Sequence, residues 1–272
     1  MKLLTLNTHS WMEKQPFKKL EQLADSLAKQ NFDVIALQEV NQLMRSQKVE
    51  KQDLATYVSD KERPAIKDDN FAYLLQKLLR KKGLVYYWTW IPMHIGYDRY
   101  DEGLAFLSKT PIEAVKSFYA TEATDFLDRV TRRVLGIQTG GTWYFNFHLG
   151  WWDVKREPFK EQWQRCERKL AELDGRRVLM GDFNSPAHVS NEGYDLISNQ
   201  WKDTFLLAEK KDSGITVDKR IDGWKNSGAS LRIDHIFVDE AIPVHSSYVM
   251  YNDKNEPIVS DHFGVAVELE MK

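Results

Sequence analysis

The stretch Val178-Leu-Met-Gly-Asp-Phe-Asn-Ser-Pro186 decides how the chain is read. Val178-Leu179-Met180 has the length and composition of a short buried strand. Gly181 ends the apolar run, and Ser185-Pro186 turns the chain away. Asp182 and Asn184 then stand two residues apart at the strand's C-terminal lip, on one face if the backbone stays extended. A carboxylate beside an amide can hold a water and an anion together. The same pair also makes an ordinary Asx turn. The rest of the chain weighs one reading against the other.

Upstream, Phe159, Trp163, Cys166, Leu170 and Leu173 have helical spacing over 159–173. Before them, 133–138 and 143–147 read as two strands of a hairpin about Gly140-Gly141, with His148 closing the second. Downstream come a short helix over 193–199 and strands over 231–238, 248–251 and 263–269. The N-terminal part opens with a strand over 2–6 closed by Asn7. A helix follows over 16–30, then a strand over 33–37 closed by Gln38-Glu39. Residues 41–69 are polar and without period, which predicts an irregular excursion. Asn70 is placed to cap a helix whose buried face is Phe71, Leu74, Leu75, Leu78 and Leu79. An aromatic strand over 86–91, a loop over 94–99 and a strand over 104–107 led by Glu102-Gly103 complete the pattern. Strands mixed with a few helices predict an α/β (α+β) fold: two packed sheets with helices outside, in a single domain over 1–272.

A chain of 272 residues can bury a sizeable core, and 42% hydrophobic with 29% charged residues fits a globular protein. The formal net charge of −2 shows no basic excess that would advertise nucleic acid. The N-terminus has no signal-peptide pattern, no apolar run is long enough to span a membrane, and Cys166 is the lone cysteine. These features predict a cytoplasmic protein without a membrane partner.

Polar, ligand-capable residues close or lead the apolar strands: Asn7, Glu39, Glu102, His148, Asp182, Asn184, Asp234, Asp261 and His262. Singly each has a plain structural explanation. Together, at equivalent positions, they meet in space if the strand ends share one edge. Oxygen donors without a thiolate cluster suit Mg²⁺ or Mn²⁺ rather than structural zinc. Such ions commonly work on phosphates, and two histidines suit stabilising a phosphoryl transition state.

In order along the chain stand Leu6-Asn7, Ile35-Ala-Leu-Gln-Glu39, Glu102-Gly-Leu-Ala-Phe-Leu-Ser108, Phe147-His-Leu149, Gly181-Asp-Phe-Asn184, Arg232-Ile-Asp-His-Ile236 and Ser260-Asp-His262. This series resembles the motifs of the endonuclease/exonuclease/phosphatase superfamily, which includes DNase I, exonuclease III-like abasic-site nucleases, bacterial sphingomyelinases and inositol phosphate 5-phosphatases. The resemblance implies a four-layer α/β/β/α sandwich, DNase I-like, with two mostly antiparallel sheets. It implies Glu39 as metal ligand with Asn7 and Asp261 near the metal. It also implies Asp182 as the acid that positions or deprotonates water, Asn184 as phosphate holder, and Asp234 with His262 as a pair at the phosphate. His148 matches the second histidine, with Glu102 as its orienting carboxylate. Tyr100, Arg132 and Arg133 are candidates for a further phosphate contact.

The substrate is a separate question, because fold and catalytic set do not choose it. Thr8-His9-Ser10-Trp11 stands where abasic-site nucleases carry an acid and a glycine. Trp11, Trp151, Trp152, Tyr97 and Trp224 crowd the expected site, and flat aromatic faces suit a sugar or a base. Leu6-Asn-Thr-His-Ser-Trp11, His94-Ile-Gly-Tyr-Asp98 and His148-Leu-Gly-Trp-Trp152 are most similar to the branch of the superfamily that includes maltose 6′-phosphate phosphatases. That similarity implies a phosphomonoesterase for a phosphorylated sugar. A Mg²⁺-dependent nuclease or other phosphodiesterase, a sphingomyelinase-like hydrolase, and a non-catalytic binding protein remain as alternatives.

Overall fold

Consecutive residues of the same strand enter different hydrophobic cores, and this alternation builds the layers. In the computed structural model, which describes residues 1–62, 64–218, 224 and 230–271, the elements run β1 (Lys2–Asn7), α1 (Pro16–Gln30), β2 (Val34–Leu43), α2 (Phe71–Lys81), β3 (Tyr87–Gly96), β4 (Tyr100–Ser108), β5 (Ala114–Tyr119), β6 (Arg133–Thr139), β7 (Thr142–His148), α3 (Phe159–Ala171), β8 (Arg177–Asp182), α4 (Gly193–Ser198), β9 (Lys202–Asp203), α5 (Thr204–Leu207), β10 (Lys210–Lys211), β11 (Asp234–Val238), β12 (Val244–Met250) and β13 (Gly264–Leu269). One sheet has the order β10-β12-β13-β1-β2-β4-β3, the other β5-β6-β7-β8-β11-β9. Leu3, Val34, Ala36, Phe106, Tyr144, Val178, Met180 and Ile236 face the core between the sheets. Their neighbours Leu4, Ile35, Leu37 and Leu107 pack outward under α1 and α2. Phe145, Leu179 and Phe237 pack outward under α3 and α4. Period-two apolar patterns buried on both faces give the four layers the sequence implied: helix, sheet, sheet, helix.

Most strand pairs are antiparallel, but β1–β2, β7–β8 and the short β10–β12 pair are parallel, and the first two carry the site. β1–β2 and β7–β8 are each joined by a crossover helix, α1 and α3 respectively. The two β-α-β units sit in different sheets and bring Asn7, Glu39, His148 and Asp182 to the same end of the sandwich.

The expected loop over 94–99 is a tight hairpin. β3 runs to Gly96, β4 starts at Tyr100, and Tyr97 and Asp98 turn the chain in left-handed backbone (φ 50° and 56°). The excursion after residue 43 is irregular as expected, but β2 itself extends to Leu43. Of the strand expected over 231–238, only Asp234–Val238 forms, while β5 was not signalled by its sequence. Ile221, Asp222 and Gly223, which precede Trp224, lie outside the described residues.

Candidate active site

Strand register makes the first row of the site. His148 pairs with Asp182 across the parallel β7–β8 ladder, and Asp234 pairs with Asp182 across the antiparallel β8–β11 ladder. Three polar side chains thus stand abreast at one sheet end, all buried. Asp182 Oδ2 is their hub. It accepts a hydrogen bond from Asn7 Nδ2 (3.1 Å) and lies 3.7 Å from His148 Nε2 and 3.8 Å from His262 Nε2. His262, just ahead of β13, places Nδ1 3.0 Å from Asp234 Oδ2, so that nitrogen carries a proton. Asp182 Oδ1 accepts the Asn184 N–H (2.8 Å), and Asn184 has φ 47°. The Asx turn therefore exists, and it positions Asn184 beside the carboxylate. The Asn184 amide donates to Leu149 O and accepts from Trp224 Nε1 (3.1 Å).

The other sheet supplies Glu39. The β2–β4 register shifts between Leu37 and Val40, and Glu39 has φ 50°. This bulge re-aims one side chain at a strand end. Glu39 Oε1 accepts from Asn7 Nδ2 (2.9 Å), so one amide spans Glu39 and Asp182. Asn7 Oδ1 is taken by the His9 N–H (3.2 Å). That hydrogen bond uses one lone pair of the amide oxygen, so Asn7 can hold the two carboxylates in place and still face a cation.

Charge is unevenly shared. Burial, reinforced by Asp234, raises the Asp182 pKa to about 7. Burial works against the charge on His262, but Asp234 and Asp182 outweigh it and raise its pKa to about 10. Burial, with nearby Arg132, drives His148 well below the usual histidine range. Of the two histidines beside Asp182, His262 is therefore cationic and His148 neutral. Burial raises Glu39, and burial together with Glu39 raises Glu102 to about 8.

A cleft of about 370 Å³ opens over these groups and is lined also by His94, Tyr97, Arg132 and Trp151. Several expected contacts are not in it. Tyr100 is buried under the Arg99 guanidinium. Arg133 points away, bound to Glu62 (2.9 Å), Ser117 and Pro92 O. Trp11 donates to Asn41 O and Asp69 O and packs on Phe17 and Phe71. Trp152 packs on Phe159. Arg132 and Arg133 diverge because adjacent residues entering a strand face opposite sides. Glu102 does not orient His148. It stands opposite His94 in the β3–β4 ladder, 3.5 Å from His94 Nε2. His94 was not singled out because its stretch reads as a loop, whereas it lies within β3. The bulge between Pro92 and His94 turns it into the cleft. His9 was also missed as a site residue. Its Nδ1 lies 2.8 Å from Glu13 and 3.7 Å from Asp261 Oδ1, and although burial opposes its charge, Glu13 and Asp261 raise its pKa to about 9.

The donors fit a hard divalent cation. Among the described residues, ligand atoms of His9, Glu13 and Asp261 converge in one group and those of Asp182, Asp234 and His262 in another. The second group is satisfied by its own hydrogen bonds. Glu39 belongs to neither, yet the Asp261 charge reaches it and adds to the rise in its pKa. Crowded carboxylates of this kind are what a bound cation neutralises.

The chain belongs to the endonuclease/exonuclease/phosphatase family, whose sequence model matches residues 13–262. Members of this family hydrolyse phosphoesters and generally use a divalent metal. An endonuclease/exonuclease/phosphatase family protein from Leptotrichia buccalis is 35% identical with TM-score 0.88, each chain covered in full. A mannosyl-6-phosphatase from Bacteroides thetaiotaomicron is similar at 18% identity and TM-score 0.66, and a 3′-5′ exonuclease from Neisseria meningitidis at 19% and 0.63, again with full coverage of both chains. At those identities the likeness is one of fold. No curated protein matches the chain.

Proposed function

We propose that this protein is a metal-dependent phosphomonoesterase acting on a phosphorylated sugar such as maltose 6′-phosphate, with one catalytic domain over 1–272. The observation that carries the reading is the Asp182 hub, where Asn7, Asn184, His148 and the Asp234–His262 pair converge on one buried carboxylate. Asp182 takes the proton of the attacking water, and a carboxylate raised toward neutrality is suited to that exchange. His262 keeps its proton and donates to the charge that builds on the phosphoryl oxygens. Asp234 holds the His262 ring and tautomer. His148 and Asn184 add donors around the same oxygens, and Asn7 fixes the spacing of Glu39 and Asp182. Mg²⁺ or Mn²⁺ would be held by Glu39 with Asn7 and Asp261, and when bound it supplies Lewis-acid polarisation of the phosphate.

Support for a small polyhydroxylated leaving group comes from Tyr97 and Trp151 on the cleft wall and from the absence of a basic excess. A cytoplasmic setting is part of the proposal. Among the described residues no helix is long and apolar enough to cross a membrane, and the lone Cys166 is a buried free thiol.

The test is a panel with Mg²⁺ and an EDTA control: maltose 6′-phosphate, simple sugar phosphates, a phosphodiester, abasic DNA and sphingomyelin. Metal-dependent release of phosphate from a sugar monoester, without nicking of DNA, is the expected result. Faster turnover of abasic DNA or of the diester would replace this reading with a nuclease or phosphodiesterase.

A further inference from the structure

Arg132 carries a buried charge with no ion-pair partner among the described residues. Its residue is 6% exposed, on the cleft that holds Asp182, Asn184, His148 and His262. Its Nη1 donates to His94 Nε2, Arg129 O (3.3 Å) and Thr131 O (3.4 Å), while Nε has no partner. Among the described residues no carboxylate forms an ion pair with it, although the charges of Glu102, Glu39 and Asp182 reach it. Neighbouring Arg133, by contrast, pairs with Glu62. A buried guanidinium without a direct ion-pair partner is costly, and guanidinium geometry matches phosphate oxygens.

His94 sets the aim of this group. Its Nδ1 faces Ile95 O at 2.9 Å and must carry the ring proton, which leaves Nε2 as a lone pair for Arg132. The imidazole is therefore a neutral acceptor. It fixes one guanidinium nitrogen without cancelling the charge, so that the net +1 is kept for the cleft.

We propose that Arg132, steered by His94, is the subsite for the third terminal oxygen of a phosphomonoester and selects monoesters over diesters. The assignment rests on the phosphate ester hydrolase reading above. A monoester presents three non-bridging oxygens and, near neutral pH, close to two negative charges. A diester presents two such oxygens and one charge, and its second ester group occupies the third position. That would set an alkyl or sugar carbon against a buried, unpaired guanidinium. A site rejects a ligand strongly when it leaves its buried polar groups unmet.

The experiment titrates the Mg²⁺-loaded protein with methyl phosphate and dimethyl phosphate by calorimetry, and measures hydrolysis of the sugar monoester and of a diester. Wild type is compared with Arg132→Gln, Arg132→Lys and His94→Leu. Arg132→Gln is expected to weaken methyl phosphate about 10- to 100-fold and dimethyl phosphate by less than about 3-fold. Arg132→Lys keeps the charge but loses the fork, and His94→Leu keeps the guanidinium but releases its aim. Both are expected to fall between, again mainly for the monoester. If circular dichroism shows Arg132→Gln unfolded, the Arg132→Lys ratio decides. Equal losses for the two ligands, or wild-type binding of dimethyl phosphate as tight as that of methyl phosphate, would overturn the assignment. Wild type that binds methyl phosphate through Arg132 but hydrolyses no ester would leave the subsite standing and remove the hydrolase reading. Wild type that hydrolyses esters with an Arg132-independent preference would do the reverse.

Discussion

At Asp182, burial raises the carboxyl pKa while His262 pulls it down, and Asn7 and Asn184 hold both oxygens in place. Asp182→Asn preserves the shape and removes the base. It is expected to lower phosphate release by about 10²–10⁴ with the circular dichroism spectrum unchanged. His262→Ala removes the charged donor and is expected to cost about 10²–10³. Turnover near wild type in either variant would exclude the roles given to them. These residues were legible in the sequence because a charged group closing an apolar run has no packing purpose. His94 and Arg132 were harder to place, since their roles depend on cross-strand register, and register is not written in any local string. A second residue-scale prediction concerns His235, whose Nε2 donates to Ser185 O and whose Nδ1 faces Arg232. Burial, then Arg232, lowers its pKa to about 4 from 6.5. The folded state thus binds this proton less readily than the unfolded state. The stability this provides is full above the unfolded pKa and is lost as pH falls toward 4, about 2 kcal/mol between pH 7.5 and pH 5. His94 and His148, also lowered, act in the same direction. In urea titrations at the two pH values, His235→Gln is expected to lose about 2 kcal/mol less than wild type over the interval; an unchanged pH dependence would count against a buried neutral His235.

The elements that carry the site are joined by close backbone contacts, and glycine is needed where they touch. Gly181 has φ 144°, and a Cβ there would lie 2.1 Å from Phe147 O and 2.8 Å from Phe147 N. β7 and β8 can pair with His148 beside Asp182 only because that side chain is missing. Gly181→Ala is expected to destabilise by about 3 kcal/mol or more and to depress turnover in whatever fraction remains folded, because Asp182 must move with the strand. Thermal denaturation and phosphate release measured on the same preparation check both halves. The sequence placed Gly181 as the end of an apolar run, which identifies the position but not the neighbour that demands it. The hairpin at Tyr97-Asp98 was concealed for a related reason. Its turn uses two non-glycine residues at positive φ, whereas the flanking Gly96 serves a close approach to Glu102, where a Cβ would meet Oε2 at 2.5 Å. A glycine in a loop-like string was thus a packing glycine inside a strand. β5 was missed because most of its residues are only half-buried, so it carries little alternation to read.

For the whole molecule, the active site needs the two sheets in fixed relative position, since Glu39 comes from one and Asp182 from the other. Apolar packing between sheets is tolerant of small slips. A buried polar bridge is not, because its geometry must satisfy every partner. Asn146, in the middle of β7 and fully buried, supplies that bridge. Its Nδ2 donates to Leu37 O and Ala105 O (2.9 Å each), and its Oδ1 accepts from Gln38 Nε2 at 2.7 Å. Gln38 in turn donates to Thr5 Oγ1, one step below Asn7. The layered fold was legible from strand periodicity and from the motif series, but this bridge was not, since Gln38 read as a strand-end residue and nothing singled out Asn146 within the strand over 143–147. Asn146→Ala leaves several buried groups without partners and is expected to cost about 3 kcal/mol in urea unfolding. It should also lower turnover without changing any group at the phosphate. Gln38→Ala alone should cost less, because Asn146 keeps its two carbonyl partners. The double variant should fall short of the sum of the singles, as two residues of one network do. Additive losses, or an Asn146→Ala protein as stable and active as wild type, would mean that apolar packing alone holds Glu39 and Asp182 in register.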